Sequence, residues 1–153
     1  MKTLTKLFLY FGLLLLFGST VLSAQTKPDF TGAWKLNVEK SVLGGAPIAR
    51  LMVQIDHKDP VFKYIAKGTA GGQDFEETES ITTDNKPGRD AQGAVATAHW
   101  EGATLVSDAI GADGNPLYEV RFTLSEDGKI ATRDFVRKSA DDPQKRHEIY
   151  EKQ

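Results

Sequence analysis

Short runs in which apolar and polar residues alternate, separated by proline and glycine, are the feature that most limits how this chain can fold. In residues 117–124 the apolar side chains recur at every second position, so that one face carries Tyr118, Val120, Phe122 and Leu124. A period of two is that of a β-strand with one buried face. All six prolines lie between such runs, as expected where turns separate strands. The chain is therefore predicted to be all-β and antiparallel.

Nine runs of this kind follow one another at roughly regular spacing, which is typical of a β-sandwich or a β-barrel. Sequential hairpins that close on themselves leave no free strand edge, and free edges promote aggregation. We therefore predict a single antiparallel up-and-down β-barrel of about 8–10 strands. Residues 38–49 have the most irregular pattern, in which residues 39–43 are compatible with one helical turn.

The first 24 residues have the order of a secretory signal peptide. Two lysines precede Leu7–Phe17, an apolar run broken only by one glycine, and small residues then lead to Ala24. A transmembrane anchor needs about 20 apolar residues, and this run is shorter. We predict cleavage after Ala24, or after Ser23, which leaves residues 25–153 as one β-barrel domain.

The charge and cysteine content of the remaining chain exclude several classes of partner. The sequence has 19 Lys and Arg against 21 Asp and Glu, and without the two lysines of the leader the balance is 17 against 21, a net charge of −4. Nucleic acid requires a positive surface, so it is not an expected partner. There is no cysteine, hence no lipid-anchoring cysteine after the leader and no disulfide. We expect a secreted or periplasmic bacterial monomer, with no stable membrane anchor once the signal peptide is cleaved.

The first predicted strand carries a motif. Residues 30–36 read Phe-Thr-Gly-Ala-Trp-Lys-Leu, and this string resembles the opening strand of the lipocalin-like proteins, the calycins, with their Gly-x-Trp signature. The Trp-Glu-Gly at 100–102, in which residues 101–102 are predicted to form a two-residue hairpin turn, and the turn at 124–129 are similar to those of small secreted bacterial β-barrel proteins of this type. This resemblance indicates that the domain of residues 25–153 is lipocalin-like. The resemblance implies a barrel in which Gly32 permits a close backbone approach and Trp34 closes one end.

The same first strand and the closing Tyr150-Glu151-Lys152 have a weaker resemblance to the fatty-acid-binding proteins. Those proteins place a two-helix lid between their first two strands, and Val38–Ala49 is too short for one. They also have an arginine two residues before the tyrosine, where this chain has Glu148. Their carboxylate-binding site is therefore not transferred to this chain.

Few residues have the pattern of a catalytic or metal site. Cysteine is absent and no Gly-x-Ser-x-Gly motif occurs, so a nucleophilic catalyst is not indicated. Residues 56–59, Asp-His-Lys-Asp, offer three possible metal ligands, but successive side chains of a strand point in opposite directions. We expect no enzyme activity, no metal and no cofactor.

A ligand site is predicted inside the barrel from side chains that share inward positions. Glu77 and Glu79 have the parity of the neighbouring apolar residues, so they either face a polar lumen, paired with Arg133, or are turned outward by a bulge. The alanines at 94, 96 and 98 share a face with Trp100, and small inward residues leave volume for a ligand. The predicted ligand-binding residues are Trp34, Glu77, Glu79, Ala96, Trp100, Tyr118, Phe122 and Arg133.

Three functions stay open at this point. The preferred one is a module that binds a small hydrophobic or amphipathic ligand, which a connected cavity on the order of a few hundred Å³ would favour. The second is a structural or interaction protein with a filled barrel and an exposed apolar patch. The third is an enzyme that uses lumen carboxylates, which would need strongly perturbed acids converging in a cleft.

Overall fold

Ten β-strands and no helix make up the part of the chain that the computed structural model describes, residues 26–90, 92–138 and 144–153. The predicted signal peptide, residues 1–24, lies outside the described residues. No helix within the described ranges is long and apolar enough to cross a membrane. The strands are β1 (Gly32–Leu36), β2 (Ile48–Lys58), β3 (Val61–Ala70), β4 (Gln73–Thr82), β5 (Gly88–Arg89), β6 (Val95–Glu101), β7 (Thr104–Ile110), β8 (Pro116–Leu124), β9 (Ile130–Arg137) and β10 (Lys145–Lys152).

The strands form one antiparallel sheet in the order β4-β3-β2-β1-β10-β9-β8-β7-β6-β5. Apart from β4 and β5, strands adjacent in sequence are paired, and the first strand also pairs with the last, with Leu36 opposite Tyr150. The sheet therefore curls into a nearly closed up-and-down barrel, and the predicted fold class is confirmed. The two edges of the sheet meet at a seam between β4 and the pair β5–β6. There the amide of Asn85, in the loop after β4, donates a hydrogen bond to the carbonyl of Ala98 on β6 at 2.8 Å.

Alternation along β4 decides which way its carboxylates face. From Phe75 to Ile81 the odd-numbered residues are partly buried and the even-numbered ones are exposed. The ladder between β3 and β4 runs from end to end without a shift in register, so no bulge turns the strand over. Glu77 and Glu79 therefore face the barrel interior.

Three details of the predicted layout are wrong. β5 falls where only a turn was predicted, and this raises the number of strands from nine to ten. The predicted helical turn over residues 39–43 is replaced by a turn at residues 38–40 and an isolated β-bridge, in which Val42 exchanges two backbone hydrogen bonds with His147 on β10, at 2.7 and 2.9 Å. The turn between β6 and β7 is Gly102-Ala103 rather than residues 101–102, because the positive φ falls on Gly102 at its first position.

Aromatic rings fill one end of the barrel. Phe30, Trp34 and Phe62 are fully buried there. The Phe30 ring centroid lies 5.8 Å from that of Phe62 and 6.4 Å from that of Trp100. The Trp34 indole Nε1 donates to the Phe30 carbonyl at 2.8 Å, so its one polar group is satisfied inside the core. This end of the barrel is closed, as the first-strand motif predicts.

The glycine of that motif is required by the packing of β1 on β10. Gly32 has a φ of +145°, and a Cβ on it would lie 2.8 Å from Lys152 Cε. The Lys152 ammonium in turn lies 5.2 Å from the centre of the Trp34 ring. A side chain at residue 32 would therefore displace the lysine that covers the tryptophan.

Asp59 ties the turn between β2 and β3 to the closed end. Its carboxylate accepts hydrogen bonds from Lys27 Nζ at 2.8 Å, from the Thr83 hydroxyl at 2.5 Å and from Trp100 Nε1 at 3.0 Å. The bonds from Lys27 and Thr83 are the main reason that the pKa of Asp59 is lowered to about 2.

The protein is expected to lose stability in acid because of Asp59. A carboxyl whose pKa is lower in the folded state stabilises the fold fully above its unfolded pKa, about 4, and this contribution disappears as the pH falls towards about 2. Urea midpoints measured between about pH 5 and pH 2 should therefore decline more steeply for the parent protein than for Asp59→Asn. Parallel profiles for the two proteins would show that the hydrogen bonds of Asp59 do not contribute to the loss of stability in acid.

Candidate functional site

Beyond the aromatic end, the barrel interior is open. A deeper cavity of about 200 Å³ reaches Phe30 and Trp34, and an outer cavity of about 600 Å³ reaches Gln92, Leu117 and Arg137 at the other end of the barrel. Small-molecule sites usually occupy about 300–1,000 Å³. The two cavities are parts of one lumen, because both are lined by Tyr64, Glu77, Phe122, Arg133 and Arg146.

The deeper cavity has an apolar floor. Its base is formed by the closed aromatic end, and its walls include Leu51 and Ile55 of β2 and Ala66 of β3. Burying apolar surface is favourable by about 25 cal/mol per Å². This part of the lumen is therefore suited to a hydrocarbon chain or a ring system.

An ion pair inside the lumen joins β9 to β10. Arg133 Nη1 donates to both carboxylate oxygens of Glu148, at 3.0 and 3.1 Å, and the Tyr150 hydroxyl donates to the same carboxylate at 2.8 Å. Only 5% of the Glu148 side chain is exposed. Burial, reinforced by the negative charge of Glu148, raises the pKa of Tyr150 far above its usual value, so its hydroxyl stays protonated.

Three carboxylates form an acidic wall on β4 and just after β5. The Tyr64 hydroxyl donates to Glu79 and the Tyr118 hydroxyl donates to Asp90, each at 2.5 Å. Burial raises the pKa of Glu79, the bond from Tyr64 opposes this, and the charges of Glu77 and Asp90 raise it further. The two tyrosines hold the carboxylates of Glu79 and Asp90 in place. The side chain of Glu77, by contrast, makes no hydrogen bond or ion pair with any described residue.

Arg146 provides a positive group on the β10 side of the lumen. Its guanidinium carbon lies 5.0 Å from the centre of the Phe135 ring, and that of Arg133 lies 5.5 Å from the same centre. Arg146 Nε is buried without a hydrogen-bond partner, and no carboxylate among the described residues pairs with this side chain. A buried donor without a partner is costly, so a bound acceptor would stabilise it.

The structure brings most of the predicted site residues together. Ala96 and Trp100 are exceptions, because they line neither cavity: Ala96 is buried in the wall, and Trp100 packs at the closed end with its Nε1 on Asp59. Ala94 is the alanine of that strand segment that borders open space. The lumen is lined by the other six, Trp34, Glu77, Glu79, Tyr118, Phe122 and Arg133. Their roles in ligand binding stay predictions.

Arg133 does not pair with Glu77 or Glu79 as predicted. It pairs with Glu148 because the two residues are directly opposite in the β9–β10 ladder, whereas β4 lies on the far side of the sheet order. Sequence reasoning also missed five other polar lumen residues. β10 has polar residues on both faces, so its alternation does not reveal which face is inward. The missed residues are Tyr64, Asp90, Arg146, Glu148 and Tyr150.

The arrangement has the chemistry of a binding site. Positively and negatively charged side chains surround an apolar volume, and none of the described histidines lines either cavity. Within the described ranges, no three His, Cys, Asp or Glu side chains converge as metal ligands would.

No protein-family model matches the chain, and no curated protein matches it in sequence. Among solved structures, the zebrafish ileal bile acid-binding protein, crystallised with cholic acid, is similar in fold. The TM-score is 0.57 at 14% sequence identity, and the match covers 81% of this chain and 98% of that one. At this identity the likeness concerns the fold alone. The shared fold is a nearly closed antiparallel up-and-down barrel, and at the level of fold it agrees with the calycin-like resemblance indicated by the first strand.

Proposed function

We propose that this protein binds a small, partly apolar ligand inside its barrel and is not an enzyme. The observation that carries the proposal is the lumen itself, with an apolar floor and a small number of placed polar groups above it. Small-molecule sites have this composition, because apolar walls provide affinity while a few polar atoms set the orientation of the ligand.

The zebrafish protein of similar fold was crystallised with cholic acid, an amphipathic molecule. A shared fold does not by itself imply a shared function. The zebrafish complex is an example of a barrel of this fold with a ligand. That example supports the proposal because the barrel of this chain also contains open volume.

The two alternative functions are less well supported. A filled structural barrel is disfavoured by an outer cavity of about 600 Å³. An enzyme that uses lumen carboxylates would need an acid and a base in defined positions. Glu79 does have a raised pKa, but its hydrogen bond with Tyr64 gives it a structural partner instead of a catalytic one.

Filling the outer cavity should reduce ligand binding without unfolding the protein. In Ala94→Leu the added side chain enters open space, so we expect little change in stability and weaker binding of the neutral apolar dye N-phenyl-1-naphthylamine. Dye fluorescence titrations and urea denaturation measure the two effects.

Ala98→Leu, four residues further along the chain on β6, is the matched control. Ala98 is 1% exposed within the packed core, so the same change should overpack it and cost about 1–3 kcal/mol. If the parent protein bound no apolar dye and Ala94→Leu were destabilised as strongly as Ala98→Leu, the proposed function would be wrong.

We also propose that the chain is exported and loses its first 24 residues, on the basis of the charged, apolar and small-residue order of that segment. When the full chain is expressed in a bacterial host, the exported protein should have the intact mass of a chain that starts at Gln25 or Ala24. Exported protein that retains residues 7–17 would contradict this proposal.

A further inference from the structure

Two opposite charges in the lumen have no partner within the described part of the chain. Arg146 and Glu77 both border both cavities, yet neither side chain takes part in a hydrogen bond or an ion pair with a described residue, and the Arg146 guanidinium has only the Phe135 ring beside it, at 5.0 Å. Both side chains are partly buried. A charged group withdrawn from water without a partner is unfavourable, so each of these groups would gain from a ligand atom of the opposite sign.

The other charged groups of the lumen are largely engaged. Arg133 is bound by Glu148, and the remaining two acids of the acidic wall accept tyrosine hydroxyls. The third guanidinium, that of Arg137 at the rim of the outer cavity, belongs to an exposed residue and is open to water. In total, four carboxylates and three guanidinium groups line the two cavities, so the lumen is close to charge balance. A lumen of this kind offers no general preference for an anion or for a cation.

The two unpartnered charges lie on different walls. Glu77 is on β4 and Arg146 is on β10, and three strands separate β4 from β10 along the sheet. The apolar floor lies below both of them. A ligand in this lumen would therefore have its charged head between an acid on one side and a base on the other.

We propose that the ligand is a zwitterionic amphiphile, with its acidic group on Arg146, its ammonium group on Glu77 and its apolar part in the deeper cavity. This inference rests on the proposed binding function and specifies the class of ligand. A ligand with a single charge would satisfy one of the two groups and leave the other one unpaired and further desolvated. A zwitterion satisfies both at once.

The test is a set of ligands that share one decyl chain and differ in head group. The set consists of decanoate, decylamine, decanol, N-decylglycine and 4-(decylamino)butanoate, the last two being zwitterions with a short and a long charge separation. Each is titrated, below its micelle-forming concentration, against protein loaded with N-phenyl-1-naphthylamine. Because each charged hydrogen bond contributes about 1.5–3 kcal/mol, the better zwitterion should bind at least about tenfold more tightly than the three other compounds.

Two variants locate the two contacts. Arg146→Met should weaken the zwitterion and decanoate about tenfold and leave decylamine unchanged, whereas Glu77→Gln should weaken the zwitterion and decylamine and leave decanoate unchanged. Lys145→Met and Glu76→Gln remove the same charges from the exposed face of the same strands, and should change no affinity.

The outcomes separate this inference from the proposed function. If decanoate, decylamine or decanol binds as tightly as both zwitterions, the zwitterion inference is wrong and the binding function stands. If each variant weakens all five compounds equally, the two charges do not recognise the head group, which also overturns the inference. If neither the dye nor any decyl compound binds, the proposed function itself is wrong.

Discussion

Replacing Trp34 with alanine is expected to lower the free energy of unfolding by about 3–5 kcal/mol, the usual cost of emptying a large aromatic site in a core. The indole is fully buried at the closed end of the barrel, and its Nε1 satisfies the Phe30 carbonyl. The substitution leaves a cavity and also removes the donor to a buried acceptor. Urea denaturation followed by circular dichroism measures the change.

Trp100→Ala is the matched comparison. Trp100 belongs to the same aromatic end, but it is only partly buried and its Nε1 bonds to Asp59 near the surface. Its removal should therefore cost clearly less than that of Trp34. A loss below about 1 kcal/mol for Trp34→Ala would mean that this ring does not close the barrel.

Removing Glu148 should have an effect of similar size. Glu148→Leu leaves the Arg133 guanidinium without its bidentate partner and the Tyr150 hydroxyl without its acceptor. Breaking a buried ion pair by deleting one member costs about 3–5 kcal/mol, and the quarter of the Arg133 side chain that is exposed favours the lower end of that range. Urea denaturation of the variant gives the number directly.

The double variant Arg133→Met/Glu148→Leu tests the physical reason. With both charges gone, neither member of this pair is left uncompensated, so a large part of the stability lost in Glu148→Leu should return, while the Tyr150 hydroxyl still lacks its acceptor. Glu151→Leu, on the outward face of the same strand, removes an exposed ion pair with Lys40 and a hydrogen bond from Asn37 Nδ2, and should cost clearly less than Glu148→Leu. A double variant as unstable as Glu148→Leu would show that the cost comes from lost packing instead of an uncompensated charge.

The inward position of the β4 carboxylates could be predicted from the sequence. Glu77 and Glu79 alternate with residues of high polarity, and their parity matches that of Phe75 and Ile81. In an antiparallel barrel the side-chain period is two, so a strand without a bulge has to send them inward together with the apolar residues. The same reasoning placed Tyr118 and Phe122 on the inner face of β8.

The partners of the charged lumen residues could not be predicted from the alternation. Glu148 and Arg133 are fifteen residues apart, and their contact depends on the register of the β9–β10 ladder. That register follows from how the strands pair around the whole barrel. The alternation of β10 could not help, because Arg146 and Glu148 on one face are matched by His147 and Glu151 on the other.

The sequence by itself determined the all-β class, the meander of hairpins and the closed end, because strand alternation, turn residues and the Gly-x-Trp motif are local features that act between near neighbours in the chain. Only the tertiary structure decided where the lumen is open and which charges meet inside it. These depend on how the strands pair around the whole barrel: Arg133 meets Glu148 in the β9–β10 ladder, whereas Glu77 on β4 and Arg146 on β10 form no ion pair with each other. A side-chain period tells which face a residue is on, but not what it faces.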